Sequence, residues 1–354
     1  MPAHVGTRNE ASFALSERAT FYPFARRSCS VRRPRGLEAL APWRPRLHTV
    51  LTLGLDIPME MLIRYLRRLK RKTWFTRYFG FYLERRATRL GRPYKIYSEV
   101  VQAGRVQLRP HNLGANFWVH ARSDLAKRVI LGGEYEPELC EIIKRVWRGP
   151  GKVVNVGANV GFWSIGLLKL LPDIQRVLAI EPNPDAFALL RDNIVLNDVV
   201  NRVLPIQACV AETEGSIEFE TVQDMPEYSS IGRIIHPAVS GKARVRIPVA
   251  ARPLGKILGD EAKGVRLILI DTEGAEYLVL AGARDVLIAH RPVVIFECYN
   301  PDLGNFGHSV VMVRQLLDGC GYVVRNAEPP HNFLPDDFEG EALAYPKDDV
   351  PIGF

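Results

Sequence analysis

The chain lacks most of the features that would assign it quickly. Its five cysteines (Cys29, Cys140, Cys209, Cys298 and Cys320) are scattered, odd in number and free of any Cys-x-x-Cys pair. That argues against a disulfide framework and a zinc site, and fits a reducing compartment such as the cytoplasm. No apolar run approaches the roughly 20 residues needed to span a bilayer. Nothing near the start has the apolar h-region of a secretory signal. A Gly-x-Gly-x-x-Gly dinucleotide fingerprint is missing, and so is the Lys-Ser or Lys-Thr of a phosphate-binding loop. Internal repeats are absent too.

What is present is an ordinary apolar fraction, 47% of 354 residues, enough for one large α/β domain and an accessory segment. The net charge of +8 is unevenly placed. Between Leu62 and Lys95 about a dozen Lys and Arg face the single acid Glu84, which leaves the C-terminal two-thirds mildly acidic. A nucleic-acid function read from the overall charge alone is therefore unsafe, because only this segment can present a basic face.

Three regions follow from the pattern. Residues 1–58 are Arg-rich with Pro-Arg punctuation and no sustained period. They read as a disordered extension, a targeting leader, or sequence upstream of a later start at Met59 or Met61. Residues 59–130 read as a basic helix followed by a small hairpin. Leu62, Leu66 and Leu69 fall at helical spacing among the basic residues, a pattern that packs on a domain or lies on an anionic membrane. Residues 131–350 alternate strand and helix. Strands are expected at 153–156, 177–181, 203–210, 266–271 and 293–297, with helices at 137–146, 162–171, 185–196 and 275–287. Extra β structure is expected over 216–254, and a closing hairpin from 321–326 and 342–346. Such alternation implies an α/β, Rossmann-like, mostly parallel sheet with helices on both faces.

The informative stretch is 153-VVNVGANVGFWS-164. A buried strand breaks at Gly157, turns through Asn159 and Gly161, and enters an apolar helix, the first half of a βαβ unit. Asn159 occupies the place of the middle glycine, so the turn better fits a ligand without phosphates. Glu181 ends the next strand, where an acid accepts hydrogen bonds from both ribose hydroxyls, followed by Pro182 and Asn183. S-adenosylmethionine, an adenosine without phosphate, matches both features.

The blocks 133-GEYEPE-138, 155-NVGANVGFWS-164, 181-EPNPDAFALLRDNIVLN-197, 268-ILIDTEGAEYLVLAGA-283 and 291-RPVVIFE-297, in that order, resemble the FkbM family of S-adenosylmethionine-dependent methyltransferases over about Gly133 to Tyr322. The resemblance implies a class I methyltransferase sheet of seven strands, the last antiparallel, and methylation of a hydroxyl on a saccharide, glycolipid or secondary metabolite. Two positions depart from the pattern: Asn155 replaces an Asp and Leu269 a Lys. Asn155 cannot offer a carboxylate to the methionine ammonium, so that acid is expected elsewhere, with Glu136 the candidate.

The expected cofactor-binding residues are therefore Glu136, Asn155, Gly157, Asn159, Gly161, Glu181, Pro182 and Asn183. In-line methyl transfer to a hydroxyl needs alignment and a proton acceptor. Asp271 and then Glu273, at the end of a strand on the same edge, are the candidate bases, because crowded carboxylates raise one another's pKa. Glu276, Glu297 and Tyr299 are weaker substrate-side candidates, and Tyr228 and Phe306 further aromatics of an acceptor pocket. His308 reads as a surface residue, and Asn193 and Asn197 as the finish of the helix after Glu181. No metal is required and no nucleic acid is expected. The alternatives are a nucleic-acid methyltransferase and a weakly active cofactor-binding member of the same fold.

Overall fold

The computed structural model describes residues 104–222, 229–231 and 243–350. The basic segment at Leu62 to Lys95, the 1–58 extension and Tyr228 lie outside them. Chain order begins with a hairpin, β1 (Arg105–Leu108) and β2 (Phe117–His120), then helices α1 (Asp124–Gly132) and α2 (Pro137–Val146). The alternating region follows as β3 (Gly151–Val156), α3 (Phe162–Leu170), β4 (Ile174–Ile180), α4 (Pro184–Leu196) and β5 (Val203–Ile206). A small excursion holds β6 (Cys209–Val210), β7 (Gly215–Val222), β8 (Ser230–Ile231) and β9 (Arg244–Arg252). The chain then forms α5 (Leu254–Leu258), β10 (Val265–Ile270), α6 (Glu276–Gly282), α7 (Arg284–His290) and β11 (Val293–Tyr299). It ends with α8 (Asn300–Asn305), α9 (Val310–Gly319), β12 (Tyr322–Asn326) and β13 (Glu339–Pro346).

Seven strands form the main sheet in the order β12-β13-β11-β10-β3-β4-β5. Only β13 is antiparallel to its neighbours. This is the class I methyltransferase sheet that the resemblance implied. Alternate residues explain the three layers. Val153, Ala179, Leu267 and Ile295 feed one core with α1 to α4. Val154, Leu178, Ile268 and Phe296 feed the opposite core with α5 to α7 and α9. Strands buried on both faces are largely apolar, which is why β3 and β10 read as near-continuous hydrophobic runs over 153–156, broken only by Asn155, and over 267–270. Leu113, Phe117, Val119 and Leu125, from the hairpin and α1, share the first core.

Three local expectations need correction. The single strand expected at 203–210 is two: β5 stays on the edge of the main sheet, while β6 joins the four-stranded sheet β6-β9-β7-β8. Pro205 has no N–H to offer a further strand, so the edge position is the one it tolerates. The helix expected at 275–287 breaks after Gly282. A Cβ there would meet the Ala211 carbonyl at 2.5 Å, so the helix presses on that backbone and then turns. Within 59–130 the helix α1 had no counterpart in the alternating pattern. Its signals are local: Ser123 accepts from the Ala126 N–H at 3.1 Å, and Gly133 closes the helix in a left-handed conformation. The free cysteines Cys140, Cys209, Cys298 and Cys320 are each buried.

Asn193 and Asn197 tie the hairpin to the sheet. Asn193 Oδ1 accepts from the Trp118 N–H at 2.6 Å, and its Nδ2 donates to the carbonyls of Trp118 at 3.0 Å and Val160 at 2.8 Å. Asn197 pairs in the same way with both backbone groups of Asn116. Leaving such buried groups unpaired costs about 1–3 kcal/mol each. Asn193→Ala is therefore expected to lower unfolding stability by about 2–4 kcal/mol in urea titrations. A loss below about 0.5 kcal/mol, the scale of a neutral surface change, would remove this latch from the account.

Candidate functional site

The C-terminal ends of β3, β4, β10 and β11 open into one cavity, walled on one side by α1 and the turn into α2. Such strand ends are where open α/β sheets bind ligands. The turn after β3 is laced to its neighbours. Gly157 and Ala158 donate to the Ile180 carbonyl at 3.0 and 2.9 Å, and Asp271 N–H donates to the Val156 carbonyl at 3.0 Å. Gly157 has φ of 80°, and a Cβ on it would lie 1.8 Å from the Asp271 carbonyl oxygen. Only glycine permits that approach.

Glu181 is 5% exposed and holds two turns at once. One carboxylate oxygen accepts from the Asn159 N–H at 2.7 Å, the other from the Asn183 N–H at 2.8 Å. Glu181 also lines the cavity, and each of its oxygens keeps a lone pair beyond these two bonds. Burial pushes its pKa up to about 7, against the pull of those two N–H groups. Glu276, 2% exposed, does the same for the loop after β10. It accepts from Thr272 N–H at 3.0 Å, Thr272 Oγ1 at 2.9 Å and Gly274 N–H at 3.2 Å. It thus shapes the loop from behind and does not line the cavity.

The loop it shapes presents Asp271 and Glu273. Asp271 is open to the cavity yet surrounded by protein; this enclosure raises its pKa, and Arg128 opposes the rise. Burial, then the Asp271 and Glu297 charges, push Glu273 up to about 9. Burial and Asp271 likewise push Glu297 to about 8. On the facing wall, Glu136 accepts from Trp163 Nε1 at 3.1 Å and pairs with Arg128 at 3.4 Å. Burial, followed by Asp271, lifts it to about 7. Glu136, Asn159 and Glu273 all have positive φ, 42°, 49° and 52°, and all three line the cavity. Strained non-glycine residues gather at functional sites, where the surrounding structure over-determines them.

Of the residues expected from sequence, Glu136, Asn155, Gly157, Asn159, Glu181, Pro182, Asp271, Glu273 and Glu297 meet at this cavity. Asn155 is 2% exposed and donates to Ser164 Oγ at 2.9 Å, so its side chain is fixed in the wall. Four others are placed elsewhere, Glu276 among them. Gly161 starts α3 against Leu190, where a Cβ would lie 2.7 Å from the Leu190 Cδ1. Asn183 caps α4, accepting from Asp185 N–H at 2.9 Å. Tyr299 is exposed before α8. His308 is half-buried rather than on the surface, stacked on Tyr277 with centroids 4.1 Å apart. Phe306 packs by Gly274, away from the cavity. Sequence reasoning missed Arg128, Trp163 and Glu341, all of which line it. Trp163 lay in the recognised turn block; nothing local marks Arg128 or Glu341.

Residues 155–324 match the family described as Methyltransferase FkbM domain. The chain carries an FkbM methyltransferase domain. The chain is similar to Methyltransferase sdnD of Sordaria araneosa, 25% identical over 173 residues, 42% of this chain and 66% of that relative. Methyltransferase FkbM from Methylobacillus flagellatus KT aligns with a TM-score of 0.38 and 16% identity, covering 73% of this chain and 60% of that one. M. jannaschii TYW2 in complex with AdoMet aligns with a TM-score of 0.38 and 16% identity, over 68% and 85% of the two chains. Among the described residues of the FkbM chain, no helix is long and apolar enough to cross a membrane.

The raised carboxyls give the cavity a pH signature. An unfolded Glu releases its proton near its ordinary value of 4.5, whereas the folded cavity holds protons up to about 7 at Glu181, 8 at Glu297 and 9 at Glu273. Their contribution to stability is full below the unfolded value and is lost as pH rises through the folded ones. Ligand-free protein is therefore expected to lose unfolding free energy steadily from pH 5 to pH 9. A profile that is flat, or rises, across that range in denaturant titrations would contradict the crowding described here.

Proposed function

We propose that the cavity binds S-adenosylmethionine and transfers its methyl group to a hydroxyl of a saccharide, glycolipid or secondary metabolite. One observation carries this reading. A buried carboxylate at the end of β4 and a strained, glycine-opened turn at the end of β3 share one cavity with the candidate base Asp271. In it Glu181 takes the ribose hydroxyls with its remaining lone pairs. Asn159, Gly157 and Pro182 border the nucleoside, and Glu136 takes the methionine ammonium that Asn155 cannot pair with. When bound, the cofactor supplies a methyl group on a positively charged sulfur. Asp271 would take the hydroxyl proton as the acceptor oxygen replaces the sulfur on that methyl carbon. Enclosure by protein raises the pKa of Asp271, which suits it to accept that proton near neutrality.

The acid-lined cavity supports a phosphate-free acceptor over a nucleic-acid strand, because each carboxyl that ionises there repels phosphate. The scattered free cysteines support a cytoplasmic setting, and the basic segment at Leu62 to Lys95 supports peripheral contact with an anionic membrane.

Glu181→Ala is expected to weaken S-adenosylmethionine binding by about 1.5–3 kcal/mol, the scale of hydrogen bonds to a charged group. Calorimetry at a temperature where the variant is folded measures it, and undiminished affinity rejects the proposed pose. Asp271→Asn should leave that affinity within about twofold and reduce turnover by about 10²–10⁴-fold, the usual contribution of a general base. Turnover equal to that of the unsubstituted chain would remove Asp271 from this role.

A further inference from the structure

The end of the cavity farthest from Glu181 holds two acids that the methyl-transfer reading leaves unused. Strands β11 and β13 pair antiparallel with Glu297 directly opposite Glu341, and both residues line the cavity. Like charges directly opposite across a strand pair destabilise it. Two other buried acids have partners: Glu220 pairs with Arg244 and Arg246, and Glu276 takes the amides of its loop. Among the described residues, no hydrogen bond or ion pair reaches the Glu297 or Glu341 carboxylates. Burial, followed by the charge on Asp271, pushes each up to about 8.

The strand order separates this pair from the nucleoside end. β11 and β13 lie three and four strands from β4. At about 4.8 Å per strand, that is roughly 14–19 Å from Glu181. Asp271 lies between them, at the end of β10. A neutral hydroxyl compound would leave the two carboxylates facing each other. An ammonium satisfies both, because it has three N–H donors and a full positive charge.

We propose that the acceptor carries a protonated primary amine beside the hydroxyl that is methylated, and that Glu297 and Glu341 hold this ammonium while Asp271 faces the hydroxyl. The acceptor class is then amino sugars and other amino alcohols. A nitrogen held as an ammonium has no lone pair to attack with, so the oxygen remains the nucleophile. The inference rests on the methyl-transfer reading of the same cavity.

Calorimetry on the full chain saturated with S-adenosylhomocysteine tests it, with glucosamine and glucose as matched probes at pH 7. Glucosamine is expected to bind at least tenfold more tightly than glucose. That preference should fall below threefold in both Glu297→Gln and Glu341→Gln. Because each amide relieves repulsion, both variants should also show a higher melting temperature than the unsubstituted chain at pH 9, which reports that they fold. Equal binding of the two sugars, no binding of either, or a preference that survives both substitutions overturns the inference. Failure of the unsubstituted chain to bind S-adenosylhomocysteine is a separate result, and it overturns the methyl-transfer reading together with this one.

Discussion

A single buried carboxylate joins the ends of two parallel strands, and the geometry of the cavity depends on it. Glu181 spends one oxygen on the Asn159 amide and the other on the Asn183 amide, so the turns after β3 and β4 cannot move independently. Charge-assisted bonds of this kind are roughly twice as strong as neutral ones, and here they offset part of the cost of burying the acid. The first turn in turn lies against the Asp271 carbonyl, which Gly157 permits by having no side chain. Three strand ends thus become one rigid rim. Glu276 repeats the device one strand further on, fixing the loop that carries Asp271 and Glu273. Two acids therefore build the rim, leaving others free to face a ligand.

The second wall comes from residues that precede the alternating region. The Asn193 and Asn197 side chains bind the hairpin backbone to α4 and, through the Val160 carbonyl, to the glycine turn itself. The hairpin leads directly into α1 and α2, which bring Arg128 and Glu136 over the rim. Trp163, two residues beyond the turn, reaches back to Glu136. The wall is thus fastened from both the helix side and the turn side, and Glu136 is held in a left-handed conformation that its position before Pro137 would not favour unaided.

Legibility in the sequence followed the range of the interaction. The turn at Gly157, the acid at 181 and the acid loop at 271 are signalled by neighbours within a few residues, and the structure brings them together. The parallel order of the sheet was likewise readable, because strand–helix alternation leaves few other topologies. Roles set by contacts across the fold were not. Gly161 reads as a ligand-approach glycine, but its missing Cβ serves Leu190, 29 positions along the chain. Glu276 reads as another site acid because spacing cannot tell which carboxylate turns inward to its own loop. Glu341 has no local signature; it acquires meaning only when antiparallel pairing sets it opposite Glu297. Strand register is the one piece of information that periodicity does not carry.

The acids also constrain how the proposed chemistry can be fast. A carboxylate beside a sulfonium stabilises the charged cofactor more than a transition state in which that charge is fading, which raises the barrier. Acids therefore help only if they stand at the proton-accepting side and not around the sulfur. The middle of the cavity, between Glu181 and Asp271, is lined by Asn155 and Val156 of β3 and Leu269 of β10, none of them charged. Asn155 and Leu269 are the two positions at which the chain departs from the pattern it resembles, having lost an acid and a base. Their neutrality leaves the field across that middle to be set by Asp271, Glu273 and Glu136. An ammonium held by Glu297 and Glu341 would then cancel the excess negative charge on the acceptor side. Under that arrangement the fading sulfonium loses less electrostatic stabilisation, and Asp271 remains the acid nearest the proton that must leave.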